Sequence, residues 1–193
     1  MPSRSDDPVA AALTAATQLT VDDVRRSGLQ YPVVLIDGRS GAGKSSLAAR
    51  IREAWPLQGP PILIALDSIY PGWDGLDAGA EHAIEGILSP RVRGVAGAWS
   101  RWDWESSAIA EEHPVPADRG LIIEGCGILR AGVSELAPVR IWVESGEVER
   151  KERALARDGE AYRPHWERWA AQERRHIERD DPRSLATRII EVP

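Results

Sequence analysis

One stretch of the chain, Gly38-Arg-Ser-Gly-Ala-Gly-Lys-Ser45, satisfies the pattern G-x-x-x-x-G-K-[ST] at every fixed position. These residue types suit one task, gripping a polyphosphate. Glycines accept backbone conformations and close approaches that a Cβ forbids, so consecutive N–H groups can converge on phosphate oxygens. A helix opening at Lys44 adds the positive end of its dipole. The Lys44 ammonium then reaches the outer phosphates, and the Ser45 hydroxyl takes one position around Mg²⁺. Gly38, Arg39, Ser40, Gly41, Ala42, Gly43, Lys44, Ser45 and Ser46 form the expected phosphate-binding set. Basic residues are almost all Arg, with Lys at 44 and 151 alone, and an Arg at 44 would be too wide for the loop.

Such a loop works only between a strand and a helix, and the flanking sequence supplies both. Tyr31-Pro-Val-Val-Leu-Ile-Asp37 is a β-branched apolar run, and residues 45–55 read as a helix ended by Pro56. Further buried runs occupy residues 62–66, 121–123 and 139–143, ending at Asp67, Glu124 and Glu144. Continuous apolar strands, rather than alternating ones, require a sheet covered on both faces. Helices are expected over residues 9–26, 79–88 and 105–112, and over a charged segment 147–180 broken near Asp158-Gly159 and Pro164; residues 188–192 could close the sheet. The alternation predicts a doubly wound α/β fold with a parallel sheet of about five strands and helices on both faces. At 193 residues a single domain is expected, with residues 1–30 as a tail and packing helix ahead of a body over 31–193.

The acids at the strand ends decide what is done with the phosphate. Asp67-Ser-Ile-Tyr70 resembles the Asp-Ser-Phe-Tyr element after the second strand in the uridine kinase family of P-loop kinases. Leu121-Ile-Ile-Glu-Gly125 is similar to that family's strand ending in Glu-Gly, and Glu149-Arg-Lys-Glu-Arg-Ala-Leu-Ala-Arg-Asp158 resembles its arginine-bearing lid helix. The resemblance implies that Asp67 accepts the proton of an attacking hydroxyl and lies near the metal, that Glu124 holds a Mg²⁺-bound water, and that Arg153 and Arg157 close over the phosphates. Elementary chemistry agrees for Asp67, since a carboxylate at a parallel-strand end beside the loop can serve phosphoryl transfer as base or metal ligand. Arg150, Arg153 and Arg157 share one helix face, although charge patterning alone reads that face as solvated. The expected cofactors are ATP and Mg²⁺, with Ser45, Asp67 and Glu124 on the metal.

The acceptor is sought in residues 71–117, rich in Gly, Trp and charge. Tyr70, Trp73, Arg101, Trp102 and Asp103 are the candidate substrate-binding residues, because flat rings beside acids and an Arg suit a planar or sugar-like molecule. Trp166 and Trp169 are expected to pack inward. His82, His113, His165 and His176 share no metal-ligand spacing, and Cys126 reads as a small buried hydrophobe. The segment from Asp181 to Thr187 is positioned like the loop that edges adenine in such kinases.

A net charge of −6 argues against nucleic acid or anionic lipid as partners, and the apolar runs fall short of a membrane span. One cysteine and no secretory pattern fit a reducing cytoplasm. The expected function is ATP-dependent phosphoryl transfer to the hydroxyl of a small molecule, such as a nucleoside, vitamin, sugar or nucleoside monophosphate. The rival class is a regulatory ATPase acting on a protein partner; the chain has no Asn, hence no Asn-Lys-x-Asp guanine-reading element.

Overall fold

The computed structural model describes residues 7–133 and 136–193. Helix α1 (Pro8–Arg26) is capped by the Asp7 carboxylate, which accepts from Val9 N at 3.0 Å. Strand β1 (Val33–Gly38) follows, then the glycine loop, then α2 (Lys44–Glu53). Strand β2 (Ile62–Ala65) runs into a 3₁₀ turn, Leu66–Ser68, that carries Asp67. Helix α3 (Leu76–Ala83) continues through a π turn into the short α4 (Ser89–Val92). Strands β3 (Gly97–Asp103) and β4 (Ala108–Val115) form an antiparallel hairpin. Then come β5 (Leu121–Glu124), β6 (Val139–Glu144), α5 (Glu147–Tyr162), α6 (Trp166–Asp180), α7 (Pro182–Leu185) and β7 (Arg188–Glu191).

The sheet order is β2-β5-β1-β6-β7, with every pairing parallel. Successive β1 residues divide between two cores. Val33 and Leu35 pack with α3 and α6, whereas Val34 and Ile36 pack with α1 and α2. That division is the period-two geometry of a strand covered on both faces. Each fully buried Leu or Ile here contributes about 2 kcal/mol of transfer free energy. Both cores fix the strand ends from which the site is built. Among the described residues no helix is long and apolar enough to cross a membrane.

One correction applies. Residues 105–112, expected as a helix, form a turn and most of β4. The hairpin is held by cross-strand pairs, with Trp99 stacked on His113 at 4.7 Å and Arg101 paired to Glu111 at 2.6 Å. Both its faces carry polar residues, so no apolar alternation marks it. Of the tail expected ahead of the packing helix within residues 1–30, positions 1–6 lie outside the described residues. The breaks in the charged segment fall as expected: Gly159 adopts φ 59°, ψ −139°, and a 3₁₀ turn spans Arg163–His165.

Candidate active site

The glycine loop wraps the N-terminus of α2 and is held from behind. Ala42 N donates to Arg39 O at 3.1 Å, and Lys44 Nζ donates to the same carbonyl at 3.1 Å. Arg150, buried under the loop, donates to Ser40 O at 2.9 Å, and Arg153 Nε donates to Gly41 O at 2.9 Å. Guanidiniums thus claim loop carbonyls on the outer side. Gly41 has φ +77°, and a Cβ there would lie 2.0 Å from Arg150 O, so the close fit of α5 against the loop demands glycine.

Helix α6 supplies the remaining anchor. The buried Glu173 accepts from Ser40 N at 2.6 Å and from Arg39 Nε at 3.0 Å. One turn on, His176 Nε2 meets Asp37 Oδ2 at 3.1 Å while its Nδ1 meets Asp180 Oδ2 at 2.9 Å. Asp37 also accepts from Gly38 N, Gly127 N and Leu129 N at 2.7, 3.0 and 2.8 Å. A buried carboxylate so saturated fixes where the loop leaves β1.

Within this frame the chemistry-bearing groups converge. Burial opposes the Lys44 charge, but the carboxylates of Glu124, Asp67 and Glu173 around it outweigh burial and raise its pKa. Burial raises Glu124 as well, against the pull of Lys44 and a hydrogen bond from Ser45. Cys126 sits 3.5 Å from Lys44 Nζ and is pushed up by burial, so it remains a neutral thiol. Ser45, Asp67 and Glu124 offer only oxygens, the donors a Mg²⁺ ion takes alongside water and phosphate. No group of three or more His, Cys, Asp or Glu able to hold a metal occurs among the described residues.

Three hollows meet at the loop. A narrow one, of about 210 Å³, runs over Gly41, Gly43, Lys44, Ser45 and Ser46 beneath Arg153 and Arg157. A second, of about 420 Å³, is lined by Ser40, Ser45, Asp67, Tyr70, Trp73, Trp104, Arg157, Asp158, Tyr162 and Trp169. Ser45 and Arg157 line both, so the two hollows adjoin there. A third, of about 780 Å³, opens on the other side of Arg39 and Arg150, between Ser145-Gly146 and Asp181-Pro182-Arg183.

The expected residues therefore separate. Asp67, Tyr70, Trp73, Ser45 and Arg157 come together. Arg153 serves the loop backbone and donates to Pro193 O at 2.6 Å. Arg101, Trp102 and Asp103 do not enter the aromatic hollow: Arg101 is tied to Glu111, Asp103 accepts from Glu105 N at 3.0 Å, and Trp102 lines a separate hollow with Ile69 and His82. The neighbouring Trp104 enters instead, donating from Nε1 to Asp67 O at 2.8 Å. Sequence reasoning missed Trp104, Tyr162, Trp169 and Glu173 as site residues, whereas Asp158 ends the lid motif quoted above. Trp104 stands in the Trp-rich stretch 71–117, but no local signal marks the other three as lining the site.

The fold and loop define a P-loop α/β protein. The chain is similar, at 15% identity and a TM-score of 0.61, to the structure of a "possible uridine kinase" from Bacillus stearothermophilus, over 90% of this chain and 98% of that one. It is also similar, at 20% identity and a TM-score of 0.57, to a "putative fructose transport system kinase" from Silicibacter sp. TM1040, over 92% and 98%. No protein-family model and no curated protein matches the chain.

Proposed function

We propose that the protein transfers the γ-phosphoryl group of ATP to a hydroxyl of a small molecule. One observation carries the reading: the groove over the phosphate loop and the aromatic hollow containing Asp67 meet at Ser45 and Arg157. A donor phosphate and an acceptor hydroxyl placed in the two hollows face each other across that junction. The names of the two similar structures support the same class of reaction, and a nucleoside or a sugar suits the aromatic hollow.

In this reading the loop amides and Lys44 hold the triphosphate. The hollow beside Asp181-Pro182-Arg183 takes the base and ribose. Asp67, exposed at the end of β2, accepts the proton of the acceptor hydroxyl, while Arg157 meets the charge that develops on the transferred group. Ser45, Asp67 and Glu124 would hold Mg²⁺, which supplies charge neutralisation to the phosphates when bound.

Asp67→Asn tests the assignment. It should leave ATP affinity unchanged by calorimetry and lower turnover by about 10²-fold or more in a coupled ADP assay. Unchanged turnover removes Asp67 from the role. ADP release at the same rate with water alone and with any added acceptor favours a regulatory ATPase instead.

A further inference from the structure

The aromatic hollow has a charge pattern that bears on what enters it. Its acidic and basic lining side chains are Asp67, Arg157 and Asp158. Arg157 Nε donates to Asp158 Oδ1 at 2.8 Å and its Nη2 to Asp158 Oδ2 at 2.6 Å. This two-pronged pairing matches the geometry of both groups and commits the guanidinium to its neighbour. Donating to the Asp158 carboxylate raises the Arg157 pKa, so the guanidinium stays charged. Asp67 is the lining carboxylate without an ion-pair partner in the hollow, and the nearby Lys44 ammonium is shared with Glu124 and Glu173. The rest of the wall is largely the rings of Tyr70, Trp73, Trp104, Tyr162 and Trp169.

A carboxylate or phosphate on the acceptor would therefore meet the carboxylates of Asp67 and Asp158 with the one lining cation already engaged. We infer that the acceptor is an alcohol without any anionic group, held by a flat or apolar face among the rings, and that Asp158 determines this specificity by neutralising Arg157. The inference rests on the phosphotransferase reading and narrows it: sugar acids and nucleoside monophosphates are excluded, while neutral nucleosides, sugars and vitamins are retained.

Matched acceptors that differ by a carboxylate test it: uridine with orotidine, glucose with glucuronate, panthenol with pantothenate. With ATP-Mg, the neutral member of any active pair should exceed the acid in kcat/KM by about tenfold or more, the scale of a like-charge penalty at such distances. Asp158→Asn frees Arg157 and should shrink that ratio by about tenfold, while Asp158→Glu, which keeps the charge, restores it. Should Asp158→Asn fail to fold, the wild-type ratio and the Asp158→Glu ratio still decide. An acid used as well as its neutral partner overturns the inference and leaves the kinase reading standing. An unchanged ratio in a folded Asp158→Asn protein removes Asp158 from the role. ATP binding by calorimetry with no ADP from any pair removes the phosphotransferase reading, and the inference with it.

Discussion

The phosphate loop and the aromatic hollow touch at Ser45, yet they are built in opposite ways. The loop is one contiguous run whose recognition groups are main-chain amides, so its geometry is dictated locally by glycine and by the helix that follows. The hollow gathers side chains from Ser40 to Trp169, and no two of its ring-bearing residues are chain neighbours. Backbone recognition leaves a fixed pattern in the sequence. Side-chain recognition leaves only a composition, and the fold decides which members of that composition meet.

If the loop is rigid because α5 presses on it, Gly41→Ala should do more harm than an equivalent change elsewhere. Gly59 has nearly the same φ, +76° against +77°, but open space around its Cβ position. Gly59→Ala should cost about 1 kcal/mol from backbone strain alone, and Gly41→Ala about 3 kcal/mol or more, read from denaturant midpoints. Equal costs would mean that the contact with Arg150 O does not constrain the loop.

On the other side, Trp104→Ala should raise the acceptor KM about tenfold while leaving the ATP KM unmoved, in kinetics with both substrates varied. The ring is 38% exposed, so stability should change little. A parallel rise in the ATP KM would show that the two regions do not act separately.

The smallest effect concerns the seam behind the loop. Burial disfavours a charged His176, but its hydrogen bonds to Asp37 and Asp180 outweigh burial and raise its pKa. That stabilisation is full below about pH 6.5, the ordinary histidine value, and is lost as pH rises through the higher folded value. The Tm gap between the wild type and His176→Gln should therefore shrink from pH 6 to 9, by no more than about 3 °C. A gap that stays constant with pH would mean that the imidazolium charge contributes nothing.

Legibility followed the same division. Five parallel strands and the helix at Pro8–Arg26 could be read because each buries a period that its own residues display. The stop at Gly159 was equally local. The β3–β4 hairpin was not readable, because Ala108-Ile-Ala-Glu-Glu-His113 is polar on both faces and acquires its conformation only by pairing with Trp99 and Arg101. Trp102 was named from the sequence, and the structure places Trp104, in the turn after β3, in the hollow beside Asp67. Tyr162, Trp169 and Glu173 were out of reach for a simpler reason: they arrive from helices more than ninety positions beyond Asp67.

Adjacent residues on α6 face different ligands. Glu173 grips Ser40 N and Arg39, while Gln172 Nε2 donates to Trp73 O at 2.7 Å and Arg168 pairs with Asp74. One rigid rod therefore sets the span between the glycine loop and the loop that carries Trp73. Segment 71–117 could be exchanged to change what is accepted without altering that span, provided the replacement presents a carbonyl where Trp73 now offers one.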